Sequence, residues 1–222
     1  MNKKKVFYEI RVFLLMVMVV SSLRSALADW NDVPTGSMMP TIEEGDRVVV
    51  NKLAYDLKVP FTTWELFKWS DPHRGDVVVL FSPVDGTRLV KRVIALPGDK
   101  IEMRENQLFV NGEAARWNPP LGVPREDEEQ GLSFVTDETL EGTTHKVMFT
   151  PQIAARRSFE PRIIPKGQYF VMGDNRDNSN DSRYIGFIDR ERIVGKATAV
   201  AFSFDRNHHY APRFDRFFKG II

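Results

Sequence analysis

Leu89-Val90-Lys91-Arg92-Val93-Ile94-Ala95-Leu96-Pro97-Gly98-Asp99 is an apolar, β-branched run halted by a Pro-Gly-Asp turn, with a lysine set inside it. That pattern is a strand ending at a turn. Runs of the same kind lie on both sides of it: Arg47-Val48-Val49-Val50, Asp76 to Phe81, Gln107 to Val110, Gln168 to Met172 and Ile193 to Phe204. Gly45-Asp46, Gly75-Asp76 and Gly98-Asp99 mark turns, and Asn111-Gly112 is a strong hairpin signal. Long helical periodicity is absent beyond the N-terminus, so the body of the chain is expected to be mainly β.

The chain has 222 residues, enough for one good core and a smaller appended lobe. Its formal net charge of +1 gives no bulk field that would draw nucleic acid. It has no cysteine, which excludes disulfides, thiolate zinc sites and cysteine nucleophiles. His73, His145, His208 and His209 stand in no metal-ligand spacing, so no metal and no cofactor are expected. Between about Gly112 and Pro165 prolines accumulate, periodicity weakens and the acidic cluster Glu126-Asp127-Glu128-Glu129 appears. This reads as an inserted lobe or long loops, with the acidic cluster as solvated surface. The expected organisation is a segment 1–28, a core in two parts (29–111 and 163–222), and the insertion 112–162.

Met1 to Lys5 carries three lysines, and Val12 to Val20 is uninterruptedly apolar, the pattern of a membrane-targeting segment with its lysines in the cytoplasm. On the residues alone its fate stays open. The charge-free stretch between Arg11 and Arg24 is only about 18 Å long as a helix, which suits a cleaved leader, and Ala26-Leu27-Ala28 is a small-x-small site. Alternatively, both arginines snorkel and the segment spans from about Val6 to Ala28. In either case Asp29 onward lies outside the cytoplasm. Nine residues separate Ala28 from Ser37, placing the serine within about 30 Å of the bilayer.

Lys91 is the residue to explain. On a strand, Leu89 and Val93 share its face, and an apolar setting favours the neutral amine, which can act as a base. The alternative is an edge-strand lysine that points to water. A partner for such a base lies in Pro34-Thr35-Gly36-Ser37-Met38-Met39-Pro40-Thr41, where Gly36 favours a tight turn and the prolines stiffen its flanks. Thr35 either caps this turn or donates its hydroxyl to an oxyanion beside the Ser37 N–H. The dense polar turn Gly173-Asp174-Asn175-Arg176-Asp177-Asn178-Ser179-Asn180-Asp181-Ser182-Arg183 is expected to be structural, with Asp181 pairing Arg183 or Arg176. Its arginines would repel calcium. Ser179 in that turn is placed to aim the lysine amine. With no GxSxG elbow and no histidine near these segments in sequence, the residues point to a serine hydrolase with a lysine base.

These segments together resemble bacterial type I signal peptidases. The serine motif, Gly45-Asp46, Arg74-Gly75-Asp76-Val77-Val78-Val79, the Lys91 strand and the Gly173–Arg183 turn occur in that family's order. The likeness continues into Ala199-Val200-Ala201-Phe202-Ser203-Phe204-Asp205. It covers about residues 33–111 and 163–205. The resemblance implies a signal-peptidase-type β fold: a catalytic β core, a smaller inserted β lobe and an N-terminal transmembrane helix. It implies Ser37 as nucleophile, Lys91 as general base and Ser179 as the hydroxyl that orients Lys91. Thr35 stands where family members often carry serine, so its oxyanion role keeps the hydroxyl and adds a methyl. It further implies a retained anchor in the bacterial inner membrane, with the catalytic part on the periplasmic side.

Val33, Met38, Ile42, Leu89 and Val90 border the serine and lysine and are expected to line shallow pockets for small side chains. The partners expected are preprotein signal peptides with small-x-small sites, and membrane lipid. Trp64, Phe67 and Trp69 form either an interfacial aromatic group or a partly buried core cluster, and Phe217, Phe218, Ile221 and Ile222 share that ambiguity. Three rivals stand: a self-cleaving repressor-type protease, which lacks its DNA-binding helices here, a pilin-type processing peptidase, and a non-catalytic periplasmic peptide-binding β-domain.

Overall fold

The protein is described here by a computed structural model covering residues 3–59, 62, 64–127, 131–206 and 208–221. Helix α1 (Lys3–Leu27) comes first, followed by β1 (Ala28–Asp32), β2 (Asp46–Asn51), β3 (Asp56–Lys58), β4 (Glu65–Lys68), β5 (Val77–Phe81) and β6 (Arg88–Ala95). Next are β7 (Lys100–Arg104), β8 (Gln107–Val110), β9 (Glu113–Ala114), β10 (Arg116–Asp127), β11 (Gly131–Leu140) and β12 (Thr143–Phe149). The chain closes with β13 (Phe159–Ile163), β14 (Gln168–Met172), the short helix α2 (Ser182–Ile185), β15 (Ile188–Asp189), β16 (Ile193–Asp205) and β17 (Ala211–Pro212).

The main sheet runs β1-β2-β16-β5-β6-β14-β15, with β17 added to β16. Each of its pairings is antiparallel. The run Val77-Val78-Val79-Leu80 is apolar without alternation because β5 is covered on both faces. Val77 and Val79 pack with Val33, Met38, Ile42, Val48, Val50 and Ala197. Val78 and Leu80 pack on the other side with Tyr55, Val93, Tyr169, Val171, Ile188 and Ile193. Long β16 pairs β2 and β5 at once, and breaks in its register around Ala197–Ala199 and Val200–Phe202 bend it, which lets the sheet curl.

All six strands read from the sequence are present, with ends within a residue or so. The Asn111-Gly112 turn is also formed, at φ of 54° and 87°, and joins β8 to β9. What the sequence left open is the stretch after Gly112. There β10, β11 and β12 make a separate three-stranded sheet. Its first strand carries Pro119, Pro120 and Pro124 and slips in register between Asn118 and Val123, so its pattern reads as loop. The expected insertion 112–162 is wider than this sheet. β9 joins β8, and β13 joins β7, in a second sheet ordered β13-β7-β8-β9. The segment with a sheet of its own is 116–149.

The N-terminal segment is helical, but among the described residues no helix is long and apolar enough to cross a membrane. The transmembrane part of the expectation therefore finds no support in the fold. The side chains of Ala26, Leu27 and Ala28 lie outside the described residues, as do Glu128, Glu129 and Ile222. Along α1, Phe7, Ile10, Phe13, Leu14, Leu15, Met16 and Met18 are all exposed. Trp64, Phe67 and Trp69 on and beside the β3–β4 hairpin are exposed as well, which removes the core reading for them. At the C-terminus the ambiguity divides. Phe218 is exposed, whereas Ile221 packs against the cluster of Val33, Met38 and Ile42.

Candidate active site

The loop between β1 and β2 holds the serine. Its residues Gly36–Met38 form one 3₁₀ turn, closed by the Met39 N–H donating to the Gly36 carbonyl at 3.0 Å. Met38 and Ile42 are the plugs that fix the loop to the sheet, both fully buried. Ser37 is left half-buried, and Thr35 before it is exposed and extended. No side-chain cap bond forms from Thr35. Its hydroxyl instead donates to Ser37 Oγ at 3.5 Å, a long contact.

β6 brings the lysine. Lys91 pairs with Val78 across the strand, and two-residue alternation sets its stem on the face of Leu89 and Val93. Lys91 is 2 % exposed, and its Nζ lies 2.6 Å from Ser37 Oγ. Nζ also donates to the Val90 carbonyl at 3.1 Å, and among the described residues the amine has no ion pair. Burial pushes its pKa down to about 8, with Arg183 helping and Asp181 and Asp174 pulling the other way.

Residue 92 points away from the amine and does the opposite work. Arg92 Nε and Nη2 bind Asp174 Oδ1 and Oδ2 at 2.8 and 2.7 Å, a buried bidentate pair. Burial raises the Asp174 pKa, but Arg92 outweighs it and holds the carboxyl below the ordinary range. Thr41 Oγ1 donates to the same carboxylate, tying the serine loop to the polar turn.

The turn after β14 is buried almost throughout, and its Asp174, Arg176, Asp177, Asp181 and Arg183 are all paired. Asp181 takes Arg183, through Nε and Nη2 at 2.8 Å each, and not Arg176. Asp181 Oδ2 also accepts from the Gly173 N–H at 3.0 Å. Arg176 reaches instead into the three-stranded sheet, where it forks onto Glu138. Asp177 accepts from the Thr150 N–H at 2.9 Å and from Arg157 Nε at 3.0 Å. Backbone bonds complete the joint: the Met148 N–H donates to the Asp174 carbonyl and the Arg176 N–H to the Met148 carbonyl, both at 2.8 Å.

Ser179 does not hydrogen-bond to Lys91. Its hydroxyl is buried with no partner at ordinary geometry, beside the Asp181 carboxylate that it helps keep ionised. Gly173 is the contact between turn and serine. A Cβ there would stand 2.3 Å from both the Ser37 carbonyl oxygen and Ser179 Oγ, so the site needs a residue without a side chain. Of the five apolar residues bordering the dyad, Val33, Met38 and Ile42 are sealed in the core, and only Leu89 and Val90 keep accessible surface.

Sequence reasoning missed His145 and Glu138, which face each other across β11 and β12. His145 Nε2 lies 3.5 Å from Glu138 Oε2. Burial and then Arg92 push the imidazole pKa down to about 4, so this histidine is neutral and bonds nothing at the serine. Asn175, which touches the serine turn directly, was also read only as part of a turn. None of these had a signal in the sequence, since each depends on a strand pairing or a loop docking.

Comparison with known proteins decides the family. The family described as signal peptidase, peptidase S26, matches residues 7–202. The chain belongs to the signal peptidase family. The signal peptidase I of Pseudomonas aeruginosa is 36 % identical over 239 residues, covering 100 % of this chain and 81 % of that protein. That of Pseudomonas fluorescens is 35 % identical over 232 residues, covering 97 % and 80 %. Among solved structures, a signal peptidase I from Enterococcus faecalis V583 is 29 % identical and covers 58 % of this chain and 98 % of its own. Its TM-score of 0.35 is too low for a structural argument. This member of the signal peptidase family is thus an endopeptidase by descent, and its serine and lysine stand at hydrogen-bonding distance in a mainly β fold.

Proposed function

We propose that this chain removes N-terminal signal peptides from exported preproteins, with Ser37 as nucleophile and Lys91 as general base. The observation that carries the reading is a buried amine with, among the described residues, no carboxylate partner, 2.6 Å from Ser37 Oγ. A neutral Lys91 takes the Ser37 proton as Oγ attacks the scissile carbonyl. The oxyanion is held by the Ser37 N–H and the Thr35 hydroxyl. The lysinium then protonates the departing amine, leaving an acyl-serine; the neutral amine next takes a proton from the attacking water and returns it to Ser37 Oγ as the acid leaves. Lys91 ends each half-reaction as it began.

The membrane setting belongs to the same proposal. The consecutive apolar residues Val12 to Met18 of α1 are all exposed, so they cover the helix all round and not in one stripe. We place α1 in the cytoplasmic membrane as a single-pass anchor, with the catalytic part on the far side. The exposed Trp64, Phe67 and Trp69 suit the bilayer interface, where an aromatic ring has both an apolar and a wet neighbour. The substrate's small side chains would meet the exposed edges of Leu89 and Val90, over a floor sealed by Met38 and Ile42. The sheet 116–149 is the inserted lobe in this scheme.

The test is cleavage of a preprotein with a small-x-small site in detergent, across pH, by wild type, Ser37→Ala and Lys91→Ala. Loss of cleavage in both folded variants, with wild-type activity rising through one basic limb near pH 8, is the expected result. Near-normal activity of Lys91→Ala would move the base elsewhere. If wild type cuts nothing, the peptide-binding reading takes over.

A further inference from the structure

The buried side chain of Asn175 has a place in the site that the dyad chemistry does not use. Asn175 sits in the polar turn and is fully buried. Its side-chain Nδ2 donates to the Gly36 carbonyl at 3.1 Å, and its backbone N–H donates to the Ser37 carbonyl, also at 3.1 Å. Which amide atom faces Gly36 is settled by chemistry. A carbonyl oxygen only accepts, so the group against it must be the NH₂.

These two bonds hold the two peptide units on either side of the Ser37 Cα. A peptide unit is rigid and planar, with its C=O and N–H pointing in opposite directions. The Gly36 carbonyl and the Ser37 N–H belong to one such unit. Whatever fixes the carbonyl therefore fixes the direction of the N–H. The Met39 N–H bonds the same oxygen, but from within the 3₁₀ turn, so it moves whenever the turn moves. Asn175 holds it from outside.

The outside anchor is itself held. Residues 174 and 176 bond the backbone of Met148 on both sides of Asn175, an isolated parallel bridge between the turn and β12. Arg176 is forked onto Glu138 of β11, and Trp117 Nε1 of β10 donates to that same Glu138 at 3.0 Å. β11 and β12 thus meet the segment that grips the serine turn, and β10 braces Glu138 from behind.

We propose that Asn175 is a positioning residue that aims the Ser37 N–H at the developing oxyanion, with the inserted sheet as its buttress. This rests on the Ser-Lys reading above. Its consequence is specific: Asn175 acts on the tetrahedral state and leaves both ground-state binding and the base untouched. Deleting an oxyanion donor outright lowers kcat by about 10²–10³-fold, and a misaimed donor with Met39 still bound should lower it by about tenfold.

The experiment compares full-length wild type with Asn175→Leu, which removes both polar atoms at similar volume. Asn175→Ala, smaller and also without charge, serves as a second variant in case the first does not fold. Four quantities are measured in detergent: kcat and KM on a preprotein, the pH of the basic limb, and the inhibition constant of a peptide aldehyde. The aldehyde adds Ser37 Oγ to its carbonyl and so places an alkoxide or hydroxyl where the oxyanion forms. The expected result is that kcat and aldehyde affinity fall together by about tenfold, with KM and the basic limb unmoved. The inference is overturned if aldehyde affinity is retained while kcat falls, if the basic limb shifts, or if activity is unchanged. Ser37→Ala is the control that separates the two proposals. If it still cleaves, or still binds the aldehyde as wild type does, the Ser-Lys reading fails, whatever Asn175 does.

Discussion

The Lys91 end of β6 and the turn Gly173–Arg183 are buried to nearly the same degree and end in opposite electrical states. In the turn, Arg92–Asp174, Arg183–Asp181 and Arg176–Glu138 are each closed ion pairs, and all three carboxyls are held ionised against their burial. One residue along the chain from Arg92, Lys91 bonds two neutral oxygens and, among the described residues, no carboxylate. Burial alone disfavours a charge. Burial with a fitted partner preserves it, and burial without one removes it. The site uses both outcomes: paired charges to hold a loop rigid, and an unpaired one to make a base.

The comparison breaks most severely at Lys91 itself. Lys91→Arg keeps a cation in place but cannot yield a neutral base, so cleavage should fall by about 10⁴-fold or more, read as kcat/KM on a preprotein. Retained activity would show that the charge, and not the base, is what matters. On the paired side, Arg92→Met leaves Asp174 buried without its cation. Unfolding in denaturant should then show a loss of about 3–5 kcal/mol, and a loss under 1 would mean that Thr41 and water suffice.

Lys91 also predicts a pH-dependent stability. Its pKa is about 8 in the folded chain against an ordinary 10.5, so between these values the unfolded state binds more protons and stability rises with pH. Below pH 8 the folded state carries the full penalty of a buried cation. Lys91→Met should therefore be inactive yet more stable than wild type by about 3 kcal/mol at pH 7, with the gap closing toward pH 10.5. Denaturant midpoints at both pH values test this, and a gap that is constant with pH would remove the desolvation argument.

Two smaller effects sharpen the contrast between the core and its margins. Gly173→Ala puts a methyl 2.3 Å from the Ser37 carbonyl oxygen, and a displacement of that order should lower kcat by about 10²-fold while the fold survives. Activity near wild type would mean that the turn and serine loop can part freely. At the exposed hairpin, Phe67→Ser should change stability by no more than about 0.5 kcal/mol. Its effect is expected instead in weaker binding to lipid vesicles.

The β core was legible because each strand carries its own signal, a β-branched or aromatic run bounded by Gly, Pro, Asn or Asp. The serine and lysine were legible because an exposed-turn serine and a lysine in an apolar run are both local oddities. The inserted sheet was not, since prolines in β10 and a slipped register erase the alternation on which a reading depends. The polar turn was half legible. Its composition announced ion pairs, and the choice between Arg183 and Arg176 for Asp181 could not be made from spacing.

Local chemistry, then, belonged to the sequence: strand or turn at each stretch, a helix at the N-terminus, and which two residues have the right functional groups. Tertiary structure alone decided three things. It brought residue 37 to within 2.6 Å of residue 91 by pairing β5 with β6 and docking the serine loop on the turn. Among the described residues it gave Asp174, Asp177, Asp181, Arg176 and Arg183 ion-pair partners and gave Lys91 none. It also set Met38 and Ile42 below the surface, leaving Leu89 and Val90 at it. The reason is that ionisation and exposure depend on what stands within a few ångströms in space, and sequence neighbours determine only part of that company.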